Sequence, residues 1–94
     1  MALRLAYQKR ALRNLDSIYQ IIAEDRPRAA AEMIGRIRGR TNDLLQFPLQ
    51  GREAARSGNR ELVIAGTPYI VTYRIRGDEI QILMVRHGAR RPLG

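Results

Sequence analysis

Pro27 divides the first half of the chain into two stretches with helical periodicity. Before it, Leu12, Leu15, Ile18, Tyr19 and Ile22 form a stripe over residues 8–24, with Lys9, Arg10, Arg13, Asp16 and Gln20 lying away from it. After it, Ala30, Met33, Ile34, Ile37, Thr41 and Leu44 form a second stripe over residues 27–45. The residue before a proline resists the α conformation, whereas proline itself suits the first turn of a new helix. The joint Asp25-Arg26-Pro27 therefore ends one helix and starts the next, and so short a joint forces an antiparallel helix hairpin. Gly35 and Gly39 fall inside the second helix. Each costs about 1 kcal/mol relative to alanine, and close packing against a neighbour is the expected compensation.

Outside the hairpin the period changes from helical to alternating. Leu3 and Leu5 share one face of a short strand over residues 2–6. Phe47-Pro48-Leu49-Gln50-Gly51-Arg52 closes the helical region, and residues 51–59 read as a polar, glycine-rich loop. Three strands follow, over residues 61–65, 69–76 and 79–87, separated by the turns Gly66-Thr67-Pro68 and Gly77-Asp78. In the middle one, Tyr69, Val71, Tyr73 and Ile75 make the core face, with the tyrosine hydroxyls expected at its rim. The last is apolar on both faces, with Ile80, Ile82 and Met84 set against Leu83 and Val85. That places it inside the sheet, closing against the first strand. The expected fold is α+β, in the order β-α-α-β-β-β, with the helix hairpin on one face of a small, mainly antiparallel sheet.

At 94 residues the chain is expected to be one domain with a thin core. Cysteine is absent, which removes disulfides, thiolate catalysis and cysteine-ligated metals. The net charge is +8, and all but one of the 17 basic residues are arginine. The excess is spread over both halves, so the partner it implies is an anion, either nucleic acid or an acidic protein. Aromatics total 5%, too few for a base-stacking platform. No stretch is long and apolar enough to span a membrane, and residues 1–7 lack the apolar run of a signal peptide, so the cytoplasm is the expected location.

His87 is the one histidine, at the end of the last strand. An imidazole titrates near neutrality, and Arg86, Arg90 and Arg91 nearby suit a phosphate. The plainer role is a strand-end residue bonded to backbone, since no second titratable partner is evident. Arg60, Arg74, Arg76, Arg86, Arg90 and Arg91 are expected to line one binding surface for a target or nucleic acid. Arg76-Gly77-Asp78 is turn chemistry. No metal-ligand cluster, carboxylate pair or phosphate-cradling loop is present, and no cofactor is expected.

Several segments together resemble the RelE/ParE family, the toxins of type II toxin–antitoxin modules. They are Leu15-Asp16-Ser17-Ile18, Asp25-Arg26-Pro27-Arg28-Ala29-Ala30, Phe47-Pro48-Leu49-Gln50-Gly51-Arg52, Arg60-Glu61-Leu62, Tyr69-Ile70-Val71-Thr72-Tyr73-Arg74-Ile75 and Ile82-Leu83-Met84-Val85-Arg86-His87-Gly88-Ala89-Arg90. The resemblance covers nearly the whole chain. It implies neutralisation by a cognate acidic antitoxin, with operator DNA reached only through that antitoxin. One branch of the family cuts messenger RNA on the ribosome, using sheet lysines or a glutamate and an arginine on the middle strand. Here the arginine position holds Ile70, and the lysine positions fall on Glu61 and Val63. A one-residue shift brings Arg60 or Arg86 into such a role, but not the set. The departures favour the ParE-like branch, which acts on DNA gyrase by binding. A ribosome-dependent endoribonuclease with a divergent active site is the second reading.

Overall fold

The computed structural model describes residues 2–55 and 58–88. The elements run β1 (Arg4–Tyr7), α1 (Lys9–Ala23), α2 (Pro27–Asn42), a 3-10 turn (Asp43–Leu45), β2 (Arg52–Glu53), β3 (Asn59–Val63), β4 (Tyr69–Arg76) and β5 (Glu79–His87). The sheet has five strands in the order β1-β5-β4-β3-β2. Its fifth strand, β2, lies in the segment expected to be loop, where Arg52 and Glu53 pair with Glu61 and Arg60. Two residues carry no readable alternation, which is why the sequence hides this strand. β1 runs parallel to β5, and every other pair is antiparallel.

The helix hairpin forms as expected. Pro27 occupies the first turn of α2, and Arg26 before it is extended at φ −141°. The inward face of α1 is turned from the predicted stripe. Ala11, Leu15 and Ile18 are buried, whereas Leu12 and Tyr19 are exposed. On α2, Ala30, Ile37 and Thr41 are buried. The Tyr7 hydroxyl bonds Thr41 Oγ1, which in turn donates to the Arg38 carbonyl, tying β1 to α2. The guanidinium of Arg38 lies 4.8 Å over the Tyr7 ring. Gly35 and Gly39 do not mark close packing: a Cβ at either position would meet nothing within 4 Å.

Both helices and the core lie on one side of the sheet. Ile37 and Leu44 meet Leu62, Ile64, Val71, Tyr73, Ile80, Ile82 and Val85 in a single hydrophobic cluster. Full burial of such aliphatic side chains stabilises the fold by about 1.5–3 kcal/mol each.

One irregularity decides which residues of β5 face the core. Tyr73 pairs with Ile82 and Thr72 with Met84, so Leu83 is an extra residue, a β-bulge. Strict alternation would put Met84 with Ile80 and Ile82. Instead the bulge reverses the parity, and Val85 is the third buried residue of the strand. Past the bulge, His87 shares the helix-covered face and Arg86 the other.

Tyr73 is fully buried and its hydroxyl does not reach the rim. It donates to the Pro48 carbonyl at 2.8 Å and accepts the Gly51 N–H at 2.9 Å. Arg60 donates to the Gly51 carbonyl at 2.7 Å. These bonds pin the loop after the 3-10 turn, and the loop holds Phe47 and Leu49 in solvent, 59% and 64% exposed.

Candidate functional site

The face of the sheet away from the helices is covered by no other element among the described residues. Cross-strand register defines its members, because residues opposite one another in a ladder share a face. The pairs Glu61–Thr72, Val63–Ile70, Ile70–Arg86, Thr72–Met84, Arg74–Gln81 and Arg76–Glu79 all lie on it. Arg52, opposite Glu61, and Arg4, opposite Glu79, extend it to the two edges.

Two polar networks organise this face. At one end, the Glu61 carboxylate lies between two guanidinium groups. Arg86 donates to it at 3.0 Å, and Arg52 lies 3.7 Å from its other oxygen. Glu61 and Arg86 are each about four-fifths buried, so this pair is better shielded than a surface ion pair. At the other end, Arg74 Nε donates to Gln81 Oε1 at 2.6 Å, and Gln81 Nε2 donates to Glu79 at 2.8 Å. Arg4 lies 3.9 Å from Glu79 and 3.3 Å from Asp78. Between the networks sit Thr72 and Met84, with Ile70 and Val63 beside the Glu61 cluster; Val63 is 50% exposed. The face is thus a fixed grid of arginines around a small apolar centre. Both glutamates on it already accept hydrogen bonds, from arginine or from Gln81.

The structure divides the predicted site residues. Arg74, Arg76 and Arg86 come together on this outer face. Arg60 does not join them: it pairs with Tyr73 across the ladder and therefore points to the opposite face. There it binds the Gly51 carbonyl and lies 3.6 Å from Glu53. His87 is also on the opposite face, with its ring edge-to-face against Tyr69 at 5.7 Å. Arg90 and Arg91 lie outside the described residues.

Arg4, Arg52 and Gln81 belong to the outer face and carried no signal in the sequence. Their partners come from other strands, so only the register reveals them. Among the described residues there is no group of His, Cys, Asp and Glu able to hold a metal, and no helix long and apolar enough to cross a membrane. The Tyr73 phenol is pushed up by burial. The Gly51 N–H and the Arg60 charge oppose that shift.

Comparison with known proteins follows this geometry. Residues 5–92 match the family model described as the ParE toxin of the type II toxin–antitoxin system, parDE. Y4kP of Sinorhizobium fredii is 43% identical over 84 residues, covering 89% of this chain and 86% of that protein. Toxin RelE2 of Caulobacter vibrioides is 35% identical over 81 residues, covering 86% of this chain and 90% of the relative. Among solved structures, the chromosomal ParDE toxin–antitoxin system of Pseudomonas aeruginosa superposes with a TM-score of 0.85 at 28% identity, covering 92% of this chain and 96% of the other. The YoeB dimer of Staphylococcus aureus, at 11% identity and a TM-score of 0.60, shares the fold, over 89% of this chain and 94% of that one.

Proposed function

This chain belongs to the ParE toxin family of type II toxin–antitoxin systems, and from that premise we propose that it arrests growth by binding DNA gyrase, and that a cognate acidic antitoxin holds it inactive. The observation that carries the binding reading is the chemistry of the outer face. Cleavage of RNA needs a general base and cations free to meet the phosphate as charge develops on it. The positions where the resemblance places the ribonuclease branch's arginine and lysines hold Ile70, Glu61 and Val63 instead. Glu61 is already engaged by Arg86 and Arg52. The imidazole of His87 is on the other side of the sheet.

What the surface does offer suits a protein partner. It has preset arginine forks and a small apolar centre, and Phe47 and Leu49 are held exposed on the loop pinned by Tyr73 on the opposite face. The net charge of +8 favours encounter with an acidic partner, antitoxin included.

Two measurements on one strain test the proposal: messenger RNA 5′ ends mapped during toxin expression, and gyrase supercoiling in vitro with added toxin. The expected result is inhibited supercoiling, no new cuts within codons and a His87→Ala variant that stays toxic. Ribosome-dependent cuts that vanish in His87→Ala would overturn it and establish the endoribonuclease reading.

A further inference from the structure

A cleft of about 420 Å³ opens between α1 and the end of the sheet where β5 finishes. β1 pairs with β5 only as far as Ile82, so the strand continues past its neighbour toward His87. There α1 takes over as the wall. Its Asn14 accepts the Val85 N–H at 3.0 Å, a backbone donor that would otherwise face the cleft. With Oδ1 accepting this bond, the Asn14 amide keeps both N–H donors to offer. Arg10 and Ser17 lie one turn on either side of it along α1 and add a guanidinium and a hydroxyl. The floor and mouth are apolar, built from Ile18, Tyr69 and Ile21, the last 68% exposed. Among the described residues, no acidic side chain lines the cleft.

A wall of donors above an apolar floor selects a ligand with a carboxylate beside an apolar side chain. Arg10 and Arg86 are the two guanidinium groups lining the cleft, and Arg86 is already held by Glu61, so a nucleic acid strand would find too few cations along its track. The groove between the two helices is a poorer match for an acidic segment, because Asp16 lines it together with Arg38. We propose that the α1–β5 cleft, rather than the interhelical groove, is the anchor point for an acidic, apolar segment of the antitoxin. An apolar side chain of that segment would sit against Ile18, Ile21 and Tyr69, and a neighbouring carboxylate would meet Arg10, Ser17 and the Asn14 amide. The assignment rests on the reading that an antitoxin neutralises this toxin.

The probe is the purified product of the small reading frame adjacent to the toxin gene, titrated calorimetrically into the full-length toxin. Arg10 and Ile21 are both exposed, so Arg10→Glu and Ile21→Glu leave the fold intact, which circular dichroism checks. Each is expected to weaken binding by at least about tenfold. Leu12→Glu, in the interhelical groove, is expected to change it by no more than about threefold. Unchanged affinity in both cleft variants, with Leu12→Glu disruptive, overturns the assignment and leaves the antitoxin reading standing. A single-stranded RNA oligonucleotide that binds wild type and is lost in Arg10→Glu, with antitoxin affinity untouched, also overturns it, in favour of nucleic acid. If wild-type toxin does not bind the adjacent product at all, the antitoxin reading itself falls, and the assignment with it.

Discussion

A methyl group added at Gly51 would lie 2.6 Å from Cε1 of Tyr73 and 2.8 Å from its hydroxyl. The same methyl would stand 2.9 Å from the Glu61 carbonyl, so neither the ring nor the strand has room to give. Gly51→Ala is therefore expected to destabilise the fold by about 1–3 kcal/mol through overpacking. Urea denaturation measures it, and an unchanged midpoint would refute the close approach.

Removing the hydroxyl tests the other half of this contact. Tyr73→Phe leaves the Pro48 carbonyl and the Gly51 N–H without their partner. The expected loss is about 1–3 kcal/mol. The same hydroxyl gives an alkaline limit. Its folded pKa is raised above the ordinary 10.0 by burial, so the neutral phenol contributes stability that is complete below the unfolded pKa. That contribution fades as pH rises from there through the folded value. Stability measured against pH should fall above about pH 10, and Tyr73→Phe should fall less steeply.

Gly35 and Gly39 offer the opposite sign. Space is open around both, and both lie in the interior of α2. Alanine at each should raise stability by about 0.5–1 kcal/mol, read as a higher midpoint in thermal or urea melts. A loss in either variant would show that the backbone there packs against something.

Asn14 holds α1 to β5 through the Val85 N–H. Asn14→Ala should cost about 1 kcal/mol, and hydrogen exchange at the Val85 amide should accelerate more than at neighbouring amides of β5. Equal exchange in mutant and wild type would remove the contact from the account.

The division of arginines between two faces predicts two phenotypes. Arg74→Ala combined with Arg76→Ala should relieve growth inhibition while the melting temperature stays near that of wild type, because both side chains lie on the outer face, clear of the largely buried Glu61–Arg86 pair. Arg60→Ala should do the reverse in kind, lowering stability by about 1–3 kcal/mol as the Gly51 carbonyl loses its donor. A full-strength toxin carrying both outer-face substitutions would remove that face from target contact.

The helix hairpin, both long strands of the meander and the closure of the last strand on the first were legible because each depends on periodicity or on a proline and glycine at a joint. What escaped depends on pairing. The Leu83 bulge has no sequence mark, yet it sends Arg86 and His87 to opposite faces from those that strict alternation assigns. Arg60 was grouped with the other arginines by charge, but charge does not say which way a strand residue points. The grip of Arg52 and Arg86 on Glu61 joins three strands, and no spacing within one segment encodes it. The tilt of the α1 stripe, with Leu12 and Tyr19 outside, reflects packing against α2 and β5 that hydrophobicity alone does not orient.

The pairing of β1 with β5 couples the first strand of the fold to its last. As the chain leaves the ribosome, the helix hairpin can assemble early from local contacts, but β1 has no partner until Glu79–Ile82 emerge. A partly made toxin then lacks the strand that joins β1 to the rest of the sheet, and the outer face is incomplete until β5 is made. Any frameshift or stop codon upstream of β5 yields a chain that cannot complete the sheet. The antitoxin, for its part, has until β5 is made to be on hand.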